Sequence, residues 1–229
     1  MSMVLREELS EGIVAITLNR PESLNALSPA LFSELNQIVT ELSKQTDSVG
    51  CVILRGAGRC FSAGNDLKAV RSGVKAKEKF FQAKTIDLIE KLPQPTIASV
   101  HGHCLTGALE LALACDLMIT SESANLADTH GKWGMVPGWG MSVRLPRRVG
   151  LLKAKEMMFT GMSINGLQAV EIGLSNQCVA DDHLKVSTLD LAESIVKNSW
   201  HTNFADKKLF LDNENHFHNC KIVTLPFYD

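Results

Sequence analysis

Apolar and polar positions along the chain fall into short blocks of two kinds. The runs "IVAITL" (13–18) and "CVILR" (51–55) are brief, continuous and rich in β-branched residues, the pattern of strands buried on both faces. Between them, Ser28 and Pro29 supply an N-cap and a first-turn proline. Leu31, Phe32, Leu35, Ile38, Val39 and Leu42 then recur at helical spacing, so this segment must lay an apolar face on a sheet. After Pro93 and Pro95 the same alternation resumes: a strand "TIASV" (96–100), a helical "CLTGALELALACD" (104–116) and a strand "LMIT" (117–120). Helices are predicted near 150–159, 165–173 and 183–198. The class is α/β, built in small units without an internal repeat. From about residue 200 the periodicity fades through "NENHFHNC" and "KIVTLPFYD". The chain is therefore divided into a core, 1–199, and a short divergent tail, 200–229.

Composition narrows the possibilities. At 229 residues, 45% hydrophobic and 21% charged, the chain can bury one large core. A formal net charge of -2 gives no global field for a polyanion, so nucleic acid is not expected as a partner. Cysteines 51, 60, 104, 115, 178 and 220 form no CxxC pair, and Cys51, Cys104 and Cys115 sit in apolar runs as small hydrophobes would. A reducing, intracellular setting is expected. No window approaches the roughly 20 apolar residues of a membrane span, and the N-terminus carries acids before any apolar stretch.

Two segments share one layout of buried strand, small-residue loop and helix: "CVILRGAGRCFSAGNDLKAV" (51–70) and "TIASVHGHCLTGALELALACD" (96–116). At such junctions the first backbone N–H groups of the helix lack partners, and small residues let a ligand oxygen approach. Two of them aimed at one point would make an oxyanion hole. Better-known glycine motifs fail. "GAGRCF" lacks the third glycine of a dinucleotide fingerprint, no GxxxxGK[ST] occurs, and Ser62 in "CFSAG" is not a nucleophile elbow. In the second junction Glu110 is the one charged residue from Leu105 to Cys115. A helix apolar nearly all round takes this carboxylate inside, where desolvation raises its pKa toward that of a useful acid or base. It stands three residues after Gly107, on the same helix face. The bland reading is a structural carboxylate paired to a cation.

"NRPESLNAL", "GRCFSAGNDL", "HGHCLTGALELALACD" and "MVPGWGMSVRLPRRVG" together resemble the crotonase superfamily, the enoyl-CoA hydratase/isomerase family, from about residue 5 to about 200. The resemblance implies a spiral of ββα units with a helical C-terminal region, a homotrimer or dimer of trimers, and an acyl-CoA thioester as substrate. By position, the Ala63 and Gly107 N–H groups would hold the thioester oxygen, while Asn25, Ala26, Asp66, Leu67 and Lys68 would line the coenzyme A groove. Lys68, Arg71, Lys75, Lys77 and Lys79 could favour its phosphates or simply form a solvated helix face. Two glutamates hold the water in hydratases of this family; the first matches Glu110, and His130 stands at the second, with Asp128 near enough to orient it. The implied activity is syn hydration of a 2-enoyl-CoA, with Glu110 and His130 as acid/base groups. Alternatives on the same scaffold are double-bond isomerisation, thioester hydrolysis, decarboxylation, or acyl-CoA binding without catalysis. No metal and no cofactor beyond the substrate's coenzyme A moiety is expected: His101 and His103 lack a third ligand at useful spacing, and "HFH" (216–218) reads as polar surface. The expected location is the cytoplasm or an organelle matrix.

Overall fold

A computed structural model describes residues 2–72 and 77–217. Nine strands are described: β1 (Val4–Ser10), β2 (Gly12–Leu18), β3 (Val49–Gly56), β4 (Thr96–Val100), β5 (His103–Leu105), β6 (Leu117–Ser121), β7 (Asn125–Ala127), β8 (Ser163–Asn165) and β9 (Gln177–Val179). One sheet has the order β1-β2-β3-β4-β6-β9, antiparallel at β1–β2 and parallel thereafter; the other is β5-β7-β8. The described helices are α1 (Pro29–Leu42), α2 (Leu67–Arg71), α3 (Phe81–Glu90), α4 (Gly107–Leu113), α5 (Met141–Val149), α6 (Leu151–Thr160), α7 (Gly166–Glu171), α8 (Leu184–Val196) and α9 (Trp200–Phe217). The architecture is the expected mixed α/β type with a helical C-terminal region.

The large sheet is covered on both faces, which explains its unbroken apolar runs. Successive side chains of β2 alternate: Val14, Ile16 and Leu18 enter the larger core with α1 and α4, while Ile13 and Ala15 enter a smaller one with Leu184 and Ala192 of α8. The start of α1 follows the predicted cap, with Ser28 Oγ accepting the Leu31 N–H at 3.2 Å. No helix among the described residues is long and apolar enough to cross a membrane.

Two expectations change. "CLTGALELALACD" is not helical throughout: His103–Leu105 form β5, and α4 begins only at Gly107. The turn between them runs through Thr106 at φ 52 and ψ -116, a region that a β-branched residue enters only under strain. The tail also begins as structure, since residues 200–217 form α9. Lys207, 6% exposed, donates to the Gln94 carbonyl (3.0 Å) and to Asp116 Oδ2 (2.7 Å), tying α9 to the main body. The Trp200 indole rests on Gly12 and Gly50, where a Cβ would come within 2.4 and 2.5 Å of its ring. The segment "KIVTLPFYD", with His218 and Cys220, lies outside the described residues.

The strain at Thr106 predicts that Thr106→Gly stabilises the fold by about 1 kcal/mol, relief of strain exceeding glycine's entropy cost. Thr106→Ala retains the Cβ and gains nothing. Urea denaturation of both variants checks this; a Thr106→Gly variant less stable than Thr106→Ala would show the turn to be relaxed.

Candidate active site

The two junctions of the sequence lie side by side. Ser62 pairs with Cys104 of β5, the Ser62 N–H donating to His103 O at 2.9 Å and Leu105 N–H to Ser62 O at 3.3 Å. Gly64, at φ +94, fits so closely that a Cβ would lie 2.5 Å from Thr106 Oγ1 and 2.6 Å from Leu105 O. On its other edge the loop pairs with Leu27, whose N–H donates to Gly64 O (2.8 Å) and whose carbonyl accepts the Asp66 N–H (3.1 Å). A planar trans peptide then turns the Asn65 N–H away from Leu27. Across the gap, α4 starts without a side-chain cap, and Thr106 C=O accepts the Glu110 N–H (3.1 Å), so the Gly107 N–H projects from the helix start. Asn65, Ala63, Leu67, Leu105, Thr106, Thr129, Lys132, Trp133 and Met135 line a cleft of about 430 Å³.

This geometry corrects two assignments. The Ala63 N–H donates to Leu24 O at 2.9 Å and is already engaged, so the donor available on the first junction is two residues on, at Asn65. Asn25 does not line a groove. It is fully buried at φ 53, its Nδ2 donating to the carbonyls of Ala57 (2.8 Å), Cys60 (2.8 Å) and Phe61 (3.1 Å) while its Oδ1 accepts the Arg20 N–H (2.8 Å). Ser62 Oγ completes the clamp by donating to Asn25 O and accepting the Gly64 N–H. Asn25 thus fixes the loop that carries Asn65. Asp66 pairs with Arg20 (2.9 Å) and accepts the Lys68 and Ala69 N–H groups; despite the opposing effect of burial, these bonds hold its carboxyl below the ordinary range. Leu67 borders the cleft, Ala26 is half-buried and Lys68 is exposed. Lys77 and Lys79 are exposed beside the Phe81 and Phe80 rings, and Lys75 and the Arg71 side chain lie outside the described residues.

Glu110 is 1% exposed. Its Oε1 accepts the N–H groups of Trp139 (2.8 Å) and Met141 (3.1 Å), and its Oε2 has no hydrogen-bond partner. Burial pushes its pKa up from the ordinary 4.5, against the lowering effect of these two N–H groups and of His130. His130 Nε2 stands 3.7 Å from Oε2, too far for a hydrogen bond and suited to a water touching both. Its Nδ1 lies 2.6 Å from Asp128 Oδ1, which also accepts the His130 N–H at 3.1 Å. The ring is thus held with Nδ1 toward Asp128 and Nε2 toward Glu110. Among the described residues no arginine or lysine bonds Glu110, whose Oε2 is left without a partner, which speaks against the structural-carboxylate reading. Sequence reasoning missed Asn65, Trp139 and Met141, because all three act through backbone N–H groups that side-chain type does not mark. It also missed Arg144, 6% exposed, which donates to Trp139 O (2.8 Å) and is held by Asp87 and Glu90 of α3. No cluster of three or more His, Cys, Asp or Glu among the described residues could hold a metal.

Comparison with known proteins gives a consistent result. Residues 8–217 match the sequence model of the family Enoyl-CoA hydratase/isomerase. The Arabidopsis thaliana protein "Probable enoyl-CoA hydratase 1, peroxisomal" is 36% identical over 189 residues, 82% of this chain and 71% of its own length. The crystal structure of enoyl-CoA hydratase from Bacillus anthracis superposes with a TM-score of 0.85 at 34% identity, covering 95% of this chain and 88% of its own. A Thermobifida fusca protein solved in complex with acetoacetyl-CoA matches with a TM-score of 0.85 at 25% identity, covering 93% and 87%.

The half-satisfied carboxylate has a thermodynamic signature. Since the folded state raises the pKa of Glu110, its contribution to stability is full below about 4.5 and is lost as pH rises through the raised value. Glu110→Gln is therefore expected to be more stable than the parent at pH 8, with the difference shrinking as pH falls toward 4.5. Denaturation curves across this range check it; a pH-independent difference would show that Glu110 is not held in a protonation-favouring site.

Proposed function

Because the chain belongs to the enoyl-CoA hydratase/isomerase family, we propose that it adds water across the double bond of a 2-enoyl-CoA thioester. The observation that carries this reading is the unpartnered Glu110 Oε2 facing His130 Nε2 across 3.7 Å, beside two backbone N–H groups on neighbouring junctions. In this mechanism the thioester oxygen sits between the Asn65 and Gly107 N–H groups. One such donor is worth about 3–4 kcal/mol of barrier when charge develops on that oxygen. A water bridges Glu110 Oε2 and His130 Nε2. Glu110 takes one of its protons as the oxygen attacks the β-carbon, and the electrons of the double bond pass into the enolate. Glu110 then returns that proton to the α-carbon, so H and OH arrive from one face. Its raised pKa suits a group that must both take and return a proton. His130 accepts a hydrogen bond from the second hydrogen of the water, which stays on the oxygen as the product hydroxyl, and Asp128 holds the ring in place.

Acyl-CoA recognition is supported by the likeness to the protein solved with acetoacetyl-CoA, and the chemistry calls for no cofactor beyond the substrate's own coenzyme A moiety. A homotrimer or dimer of trimers is supported by the apolar face of α6, where Leu152 is 84% and Phe159 82% exposed. An intracellular, reducing setting is supported by the unpaired thiols of Cys51, Cys60, Cys104, Cys115 and Cys178.

The test is loss of the conjugated thioester absorbance of crotonyl-CoA. Glu110→Gln is expected to lower kcat by roughly 10²–10⁴-fold, and His130→Ala by on the order of 10²-fold through loss of water positioning. The acid limb of the kcat profile should fall at a pH above 4.5, where Glu110 becomes protonated. Turnover unchanged in Glu110→Gln would overturn the assignment, and product with a shifted rather than hydrated double bond would assign the same carboxylate to isomerisation.

A further inference from the structure

We propose that Trp139 closes the acyl side of this site and restricts it to short acyl groups, an inference that rests on the acyl-CoA reading above. Gly107 and Glu110 mark the two ends of the reacting span, thioester oxygen at one and α/β-carbons at the other. Trp139 touches both. Its backbone N–H donates to Glu110 Oε1 at 2.8 Å, and its ring lies so close to Gly107 that a Cβ there would come within 2.4 Å of the indole. In the acyl-CoA reading, acyl carbons reaching from one of these points to the other pass the indole.

The ring cannot easily swing aside. It stands edge-to-face against Phe32, centroids 5.0 Å apart at 74°, and Phe32 is fully buried in α1. The Trp139 carbonyl accepts from Arg144, whose guanidinium is also held by Asp87 and Glu90 at 2.6 and 2.7 Å. Met141, fully buried, donates its own N–H to the same carboxylate oxygen at 3.1 Å. A long alkyl tail would have to displace an aromatic side chain anchored at backbone and ring, whereas a four-carbon acyl group ends before it reaches the core. Close packing makes such a wall selective, because each surplus methylene is worth roughly 10-fold or more in discrimination.

Phenylalanine or alanine at position 139 keeps the backbone N–H that holds Glu110, so size can be changed without removing that bond. The experiment measures both kcat/KM on crotonyl-CoA and 2-decenoyl-CoA and the Kd of the unreactive butyryl-CoA and decanoyl-CoA, in the parent, Trp139→Phe and Trp139→Ala. The parent is expected to favour the four-carbon member of each pair by at least about 10-fold, and Trp139→Ala to reduce or invert that ratio by at least about 10-fold, with Trp139→Phe between. Ratios within one variant are insensitive to a general loss of active protein, and Trp139→Phe retains an aromatic ring should the alanine variant fail to fold. A parent that treats both lengths alike, or a ratio unmoved in Trp139→Phe and Trp139→Ala, overturns the inference. If no enoyl-CoA is hydrated but the binding ratios shift as stated, the hydratase reading fails and the role of Trp139 stands.

Discussion

The site depends on a carboxylate brought into an apolar helix and left half-satisfied. Desolvating Glu110 is costly, and two backbone N–H groups, from Trp139 and Met141, offset part of that cost at one oxygen only. Much of the surrounding structure maintains this asymmetry. Arg144 holds the Trp139 carbonyl, Asp87 and Glu90 hold Arg144, and α3 is thereby fastened to the loop that supplies the two donors. A third donor at Oε2 would make the carboxylate an ordinary structural acid. Its absence leaves one oxygen unpartnered, while burial raises the pKa of the group.

The opposite wall is built from close approach instead of charge. Gly64 lies against Leu105 and Thr106, and Gly107 against the Trp139 ring, at distances that no side chain at either position could share. Asn25 then decides where the first of these loops sits, since a single buried amide gathers three carbonyls of residues 57–61. Donors aimed at a developing negative charge are effective only if they need not reorganise during the reaction. The clamp at Asn25 and the strained turn at Thr106 are where that rigidity is built in. Stability is given up at Thr106 and recovered in the core around it.

The doubly covered strands and α1 were legible because burial on two faces writes continuous apolar runs and one-sided burial writes helical spacing. β1 was not, since "VLREELS" exposes most of its residues and carries acids at an edge. The short strands β7, β8 and β9, three residues each, are too brief for any period to register. At the site, Glu110 announced itself as a charge in an apolar helix, and His130 with Asp128 as polar neighbours at a strand end. Asn65 stayed hidden, and Ala63 was chosen in its place, because which amide in "FSAGND" is free depends on pairing with Leu24 and Leu27, more than thirty residues earlier. α9 was read as an irregular tail since its docking rests on one buried lysine and one tryptophan, not on an amphipathic stripe.

The imidazole at position 130 gives this pocket an electrostatic character different from that of paired carboxylates. Two carboxylates within 4 Å repel, so one is driven toward protonation. Here the group nearest Glu110 Oε2 is an imidazole, and the second negative charge, on Asp128, sits on its far side. The two neighbours act on Glu110 in opposite senses: His130 lowers its pKa and Asp128 raises it, with burial the larger effect. Asp128 lies 2.6 Å from Nδ1, so the ring separates that carboxylate from Glu110. In the proposed mechanism the Asp128–His130 pair offers the water a hydrogen-bond acceptor without placing a second carboxylate against the first, and Glu110 acts as base and acid in turn.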